Sequence, residues 1–343
     1  MVFPDARSTA LGGCGAASRD LAANTYYNPA ALAWSARAGA AWTHVNWLPG
    51  LYGGMTYDYI GAALRPLSRL GAGLNVTYLS TGSTDVVNER GESLGSYTTF
   101  DVAPQASAGY RLSRSLALGI GVKGIYSFLM PEWVWESMPG YFDFGGTAFT
   151  VAADIGAQYR PASNLGLGLA VHNLGPGVRY TRSGDDPADP LPAIARFGLD
   201  YVPGSLGRFE FRLVADVWRD LVTDFRVAGT GFERVVSFTE QFQFGAGVEV
   251  TFARVASLRL GYFQDIYGQR GGLVCEKSGT GQSRHISPLR YLTEGGWDKP
   301  MAWGLCWGCG VEFGGFAFDV GVDEDIYDFL TPNVRAQVSW QLR

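Results

Sequence analysis

Apolar and polar residues alternate with a period of two along most of the chain. Between Gln241 and Phe252 the even positions are Phe, Phe, Ala, Val, Val and Phe, and the odd positions are Gln, Gln, Gly, Gly, Glu and Thr. Residues 208–217 and 334–342 alternate in the same way. Successive side chains of a β-strand point to opposite faces, so the pattern predicts strands with one apolar face and one small or polar face.

About fourteen segments of this kind follow one another, and their connections alternate between tight turns and long loops. The predicted strands are 38–46, 53–65, 70–79, 98–111, 115–128, 147–160, 163–173, 193–203, 207–219, 240–253, 256–265, 301–313, 315–323 and 333–343. The long loops lie near residues 80–97, 129–146, 174–192, 220–239, 266–300 and 324–332. Short periplasmic turns and long extracellular loops are typical of bacterial outer-membrane barrels, and an even strand count places both termini in the periplasm.

The size of the residues on the two faces favours a membrane barrel over a soluble β-sandwich, which also alternates. The apolar face is bulky, whereas the other face carries glycines and charges, as expected for a lipid-facing exterior and a polar lumen. Tyr110, Tyr159, Tyr201, Phe252 and Phe313 fall at the same end of alternate strands, which indicates an aromatic girdle at one membrane interface. The predicted fold class is all-β: a transmembrane antiparallel β-barrel of about 14 strands with an N-terminal segment plugging the lumen.

The amino-acid composition also favours a membrane barrel over other classes of protein. The 343 residues include 47 Gly, 14% are aromatic and only 17% are charged. No apolar run reaches the roughly 18 residues of a transmembrane helix, so the closed barrel is the membrane class that remains. The net charge of −5 without a basic run argues against nucleic acid as a partner. Residues 1–4 do not resemble a secretory signal, so we expect the numbering to start at or near the mature end.

The segment before the first strand is rich in small residues and too irregular to be a strand. A barrel of about 14 strands has a lumen too wide for its own side chains to fill. Asn28, Pro29 and Ala30 predict a rigid plug turn, because proline fixes φ and Asn28 can bond its own backbone. We therefore predict a plug or hatch of residues 1–37 inside a barrel of residues 38–343; the alternative is a disordered periplasmic tail.

The small-residue stretch A-L-G-G-C-G-A-A-S at 10–18, followed by Y-N-P-A-A-L at 27–32, resembles the N-terminal hatch of the long-chain fatty-acid transporter (FadL-like) superfamily. Within it, W-L-P at 47–49, L-G-A-G-L-N-V-T-Y-L-S-T-G at 70–82 and N-E-R-G-E-S-L-G-S-Y at 88–97 resemble the PorV branch (PorV/PorQ-like proteins) of the type IX secretion system. The resemblance covers nearly the whole chain and is most specific in residues 10–130.

This resemblance implies a protein in the outer membrane of a Gram-negative bacterium, surrounded by outer-membrane lipids, with loops at the cell surface and termini in the periplasm. It also implies binding to a large translocon barrel (SprA/Sov-like) and to the C-terminal signal domains of secreted cargo. Cargo would then pass to a surface attachment complex (PorU-like). The alternative function is a FadL-like transporter of hydrophobic small molecules, and a third is a structural barrel without a pore.

Partner-binding positions are predicted in the aromatic extracellular loops. They are Trp47, Leu48, Pro49, Met130, Trp133 and Trp135. Apolar surface rarely stays in water without a partner. The loop with Trp133 and Trp135 therefore folds back onto the barrel mouth, inserts into a partner protein or contacts lipid.

Charged residues on the polar face of the strands are predicted to form a lumen network. They are Asp154, Arg196, Asp200, Arg208, Arg212, Asp216, Glu249, Arg259 and Arg335. Because their signs are mixed, we interpret them as an ionic network that holds the plug; the alternative is a polar conduction path. An apolar tunnel for fatty acids fits poorly with so many charged residues in the lumen.

Two further features leave alternatives open. Strand parity predicts that Cys306 faces the lumen and Cys309 faces lipid, so either Cys306 forms a disulfide with Cys275 or Cys14, or the four cysteines are free. Pro104 lies inside a predicted strand, where its missing N–H indicates a bulge or a strand gap. We favour the bulge, although the superfamily resemblance makes a lateral opening conceivable.

Candidate catalytic chemistry is weak. His44, His172 and His285 are scattered, and no G-x-S-x-G turn marks a nucleophile. The acidic residues 323–325 with Asp328 could hold Ca²⁺, but they fit a solvated loop better. We therefore predict no enzymatic activity, no catalytic residue, no cofactor and no metal site.

Overall fold

A computed structural model describes residues 3–18, 24–49, 53–136, 146–180, 188–221, 242–264, 272–286, 288–298, 304–324 and 332–342. Fourteen strands form a closed antiparallel barrel, which confirms the predicted fold class. The barrel strands are β1 Ala38–Asn46, β2 Thr56–Leu64, β3 Leu70–Val87, β4 Ser93–Arg111, β5 Leu116–Phe128, β6 Thr147–Ala162, β7 Leu165–Leu174, β8 Ile194–Leu206, β9 Phe209–Asp220, β10 Phe242–Phe252, β11 Ala256–Gln264, β14 Leu305–Phe313, β15 Phe316–Glu324 and β16 Pro332–Leu342. Closure is made by β1, which pairs with β16.

Two structured regions lie where long loops were predicted. Strands β3 and β4 continue pairing from Ser83↔Thr98 to Val87↔Ser93 after a register shift, so residues 80–97 form a two-stranded ribbon beyond the barrel rim. The loop after β11 contains a separate hairpin of β12 (Leu273–Lys277) and β13 (Gln282–Ile286). A helix, α4 (Pro288–Thr293), follows this hairpin.

The two ends of the barrel differ. Tight turns such as 207–208 and 314–315, the start of β1 and the end of β16 share one end, which we call the turn end. The ribbon, the β12–β13 hairpin and the short helix α3 (Glu132–Glu136) belong to the opposite end, which we call the loop end.

The outer face of the barrel is apolar. Exposed large side chains alternate with buried ones along the strands, as in β16, where Val334, Val338 and Trp340 are exposed and Arg335 is fully buried. In the described parts of the chain, no helix is both long and apolar enough to cross a membrane.

Aromatic residues mark both edges of this apolar face. Four of the predicted girdle residues are exposed at the turn end and Tyr201 is half-buried; the four are Tyr110, Tyr159, Phe252 and Phe313. Towards the loop end, Phe100 stacks on Phe128 with ring centroids 5.3 Å apart and on Tyr78 at 5.8 Å. The outer surface therefore has the banded arrangement of a lipid-facing barrel.

The N-terminal segment contains helices α1 (Ala6–Ala10) and α2 (Asn24–Tyr27) and a 3₁₀ helix (Pro29–Trp34). Inward glycines bring the strand backbone against it. A Cβ added to Gly168 would lie 2.1 Å from the carbonyl oxygen of Ala16, and one added to Gly245 would lie 2.0 Å from that of Gly12. Only glycine allows such close approach of two backbones. That residues 1–37 as a whole act as a plug stays a prediction.

Candidate functional site

The predicted plug turn anchors the N-terminal segment to the barrel wall. Asn28 is the N-cap of the 3₁₀ helix, and its Oδ1 accepts a hydrogen bond from the Ala30 N–H at 3.0 Å. Its Nδ2 donates to the carbonyl oxygens of Ala16 and Ala157 at 2.9 and 3.1 Å. Asn28 therefore ties together its own turn, a preceding part of the segment and strand β6.

A buried ion pair between β8 and β9 holds the backbone of the segment two to three strands away from β6. Arg196 Nη1 donates to the Gly13 carbonyl oxygen at 2.7 Å and lies 3.1 Å from Asp216 Oδ2. Asp216 Oδ2 accepts from the N–H groups of Gly15 and Ala16 at 2.9 and 3.0 Å. Both charged side chains therefore hydrogen-bond the backbone of residues 13–16.

The turn-end half of the lumen contains a second charged cluster. Arg7 of α1 makes two hydrogen bonds to Glu249, at 2.6 and 2.8 Å. Arg259 bonds Glu249 at 2.7 Å and Asp319 at 2.6 Å, and Arg212 lies 3.8 Å from Glu249. These residues line a polar cavity of about 350 Å³ that opens at the turn end.

Arg335 belongs to another cluster, whereas Asp200 joins the Glu249 cluster through Arg212, so the lumen charges do not form one network. Arg335 pairs with Asp323 at 2.6 Å, and its Nε donates to the Phe3 carbonyl oxygen at 3.0 Å. Asp200 lies 3.5 Å from Arg212. Arg208 is exposed in the turn between β8 and β9, so its prediction as a network residue is wrong. The strand was predicted to begin at residue 207 but begins two residues later, at Phe209.

Asp154 is fully buried and is the centre of a polar cluster. It accepts from Gln105 Nε2 at 3.0 Å and from the Asn173 N–H at 2.9 Å, and Lys123 Nζ lies 2.8 Å away. His172 Nδ1 lies 3.4 Å from the same carboxylate. The parity of β7 could have placed His172 inward, but no pattern in the sequence joins it to Asp154.

An aromatic cage occupies the loop-end half of the lumen. We define it by Phe3, Ile194, Trp218, Phe263 and Cys306, all buried. The phenyl ring of Phe3 stands edge-on to Trp218 and Phe263, with centroids 6.3 and 5.9 Å away. Sequence reasoning missed the cage, because Phe3 lies in an irregular segment and its partners come from distant strands.

The predicted partner-binding residues differ in exposure. Leu48 is buried, with φ +47° and its N–H bonded to Asn333 Oδ1 at 2.8 Å, so its prediction as a contact residue is wrong. Trp47 and Met130 are half-buried, Pro49 is exposed and Trp133 is 40% exposed beside Gly95. The Trp135 side chain lies outside the described residues.

None of the four cysteines forms a disulfide, so the structure agrees with the alternative to the disulfide hypothesis. Cys306 belongs to the aromatic cage, Cys14 packs with Leu11 and Val214, and Cys275 lies in the β12–β13 hairpin. Cys306 is buried and Cys309 is exposed, as strand parity predicted. Among the residues that the structure describes, no three His, Cys, Asp or Glu side chains are grouped to hold a metal ion.

Pro104 interrupts the pairing of β4 with β5. Val102↔Tyr126 and Gln105↔Lys123 are paired, but Ala103 and Pro104 are not, and the register is unchanged across them. The favoured bulge is therefore wrong, because a bulge would shift the register; the strand gap stays a prediction, and we call the two unpaired positions the gap at Ala103 and Pro104. Pro104 still pairs with Val76 on β3.

A closed antiparallel barrel with an apolar exterior and a polar, occupied interior defines an outer-membrane β-barrel protein. No family model matches the chain, and no curated protein matches it.

Solved structures share its fold. The Pseudomonas putida toluene transporter TodX has a TM-score of 0.53 and 14% identity, over 98% of this chain and 96% of that chain. The CymD monoaromatic hydrocarbon channel has a TM-score of 0.54 and 12% identity, over 97% and 94%. The Ralstonia pickettii toluene transporter TbuX has a TM-score of 0.51 and 12% identity, over 99% and 98%. The chain shares the barrel fold of these outer-membrane proteins, and nothing in these comparisons supports the PorV branch.

Proposed function

We propose that this protein is an outer-membrane channel for small hydrophobic molecules that carry a single aromatic ring. The observation that carries the proposal is the aromatic cage, in which the lumen already accommodates one phenyl ring, that of Phe3. Edge-to-face contacts with Trp218 and Phe263 are the geometry that aromatic rings prefer. The printed names of TodX, CymD and TbuX, which concern toluene and monoaromatic hydrocarbons, agree with this cargo class.

The distribution of polarity inside the barrel supports a lateral rather than an axial route. The turn-end half is lined by the Arg7–Glu249–Arg259 cluster, whose charges an apolar molecule would have to desolvate. The gap at Ala103 and Pro104 lies in the wall instead, opposite Gly124, which has no side chain. In this proposal cargo enters at the loop end, takes the place of the Phe3 ring in the cage and leaves through the wall, and the turn end faces the periplasm.

Replacing Phe263 by leucine is expected to lower the initial rate of toluene uptake about three- to tenfold, since one edge-to-face contact is worth roughly 0.5–1.5 kcal/mol. Uptake of radiolabelled toluene is measured in cells that express each variant and have an intact outer membrane. Phe197→Leu is the matched control, because it replaces the same side chain on the outer face of β8, away from the cage. Equal uptake with and without the wild-type protein would overturn the proposed function.

A second candidate is the type IX secretion role implied by the sequence resemblance. The observation that favours it is the exposed aromatic surface at the loop end, where Trp133 lies beside the projecting β3–β4 ribbon. In this role the loops bind a large translocon barrel, the C-terminal domains of cargo and an attachment complex.

Affinity purification from outer membranes tests the second candidate. We expect wild-type protein to recover a large barrel protein and secreted proteins, and Trp133→Ala to recover less of both, because the indole is the exposed contact surface. Leu292→Ala is the control, since Leu292 is 80% exposed on α4 but is not aromatic. Recovery of neither partner class would exclude the secretion role.

A further inference from the structure

A buried histidine borders the aromatic cage. His172 on β7 pairs directly with Ile194 on β8, and the two residues are only 4% and 5% exposed. Directly opposite residues of an antiparallel pair have Cβ atoms about 4.5–5.5 Å apart. The imidazole therefore lies beside the cage wall formed by Ile194.

Asp154 sets the orientation of this imidazole. Its carboxylate is fully buried and lies 3.4 Å from His172 Nδ1. Gln105 Nε2 and the Asn173 N–H donate to the same carboxylate, at 3.0 and 2.9 Å, and fix its position. An acceptor at Nδ1 places the proton of a neutral histidine there, which leaves a lone pair on Nε2.

The second ring nitrogen is unused. His172 Nε2 is buried and has no hydrogen-bond partner among the residues that the structure describes. A buried polar atom without a partner is unfavourable, so such a site is suited to a ligand that supplies one. A hydroxyl group both donates and accepts, and it therefore matches Nε2 in either protonation state of the imidazole.

The charges around His172 select a neutral ligand. Lys123 Nζ lies 2.8 Å from Asp154 and 2.9 Å from Asn173 Oδ1, so its charge is compensated. A carboxylate ligand would be repelled by Asp154, because Lys123 already pairs with that residue. A hydroxyl carries no charge that needs a partner.

We propose that His172, held by Asp154, recognises a hydroxyl group on the ring of the cargo. The preferred cargo class is then a hydroxylated single-ring aromatic compound, such as a phenol, rather than the plain hydrocarbon. The inference rests on the proposed function, because the cage must accept the ring before Nε2 can reach its substituent. A site built to hydrogen-bond a hydroxyl discriminates against the analogue that lacks it.

Uptake of phenol and of toluene by wild-type, His172→Phe and His172→Gln proteins tests this inference. His172→Phe fills the space without an acceptor, so phenol uptake is expected to fall about tenfold while toluene uptake stays within about twofold. His172→Gln keeps a polar acceptor and is expected to restore part of the phenol uptake. His44→Phe is the control, since His44 is a half-exposed histidine on the outer face.

Each outcome has a separate meaning. If the wild-type protein raises uptake of neither compound, the proposed channel function fails and this inference fails with it. If the channel transports both compounds and His172→Phe lowers both equally, His172 is structural and only this inference fails. Unchanged phenol uptake in His172→Phe overturns it too. If His172→Phe does not reach the outer membrane, the ratio of phenol to toluene uptake in His172→Gln decides: a ratio below that of the wild-type protein supports the hydroxyl contact, because the amide replaces the imidazole only in part, and an unaltered ratio contradicts it.

Discussion

Replacing Arg196 by alanine is expected to destabilise the protein by about 3–5 kcal/mol, which is the usual cost of removing one partner of a buried ion pair. Arg196 and Asp216 are 1% and 2% exposed. Without the guanidinium, Asp216 keeps the N–H groups of Gly15 and Ala16 but no cation, and the Gly13 carbonyl oxygen loses its donor. The free energy of unfolding is measured by denaturant titration of the barrel refolded into lipid vesicles.

The matched control for this prediction is Arg208→Ala. It removes the same side chain from an exposed turn, so no measurable loss of stability is expected. The double variant Arg196→Met with Asp216→Leu removes both charges and is expected to recover part of the loss. A loss for Arg196→Ala no greater than that for Arg208→Ala would contradict a stabilising role of the pair.

The barrel could be predicted from sequence because every strand meets two different environments. Strand β1 was predicted at 38–46 and observed there, and β10 was predicted at 240–253 and observed at 242–252. In each case lipid on one side and the occupied lumen on the other impose a period of two. The β3–β4 ribbon beyond the rim has water around it, so no such contrast shapes its sequence, and it was predicted as a loop.

The candidate site could be predicted only as a set of inward charges. Alternation placed Arg196, Asp216 and Glu249 on the lumen side, where they are buried. It could not show that Asp216 binds the backbone of Gly15, because that contact joins residues 201 positions apart. Phe3 and Arg7 were missed for a related reason: the N-terminal segment is irregular, and its contacts depend on glycines in strands far along the chain.

Gly119 shows how those glycines create space for the N-terminal segment. A Cβ on Gly119 would lie 2.2 Å from the Ala30 nitrogen and 2.3 Å from the Pro29 carbonyl carbon, and both atoms are backbone. Strand β5 is paired on both sides along most of its length, so the segment rather than the wall is expected to move.

Gly119→Val is therefore expected to displace the turn at Asn28 from the lumen, to cost about 1–3 kcal/mol of stability and to raise ion conductance. Conductance is measured in planar bilayers, with Gly53→Val as the control because a Cβ on Gly53 would meet no atom within 4 Å. The wall itself keeps its ladder of hydrogen bonds in both variants, so a rise confined to Gly119→Val reports on the segment alone. If both variants conduct and unfold alike, Gly119→Val has not opened the lumen, and the role of the turn at Asn28 in closing it is contradicted.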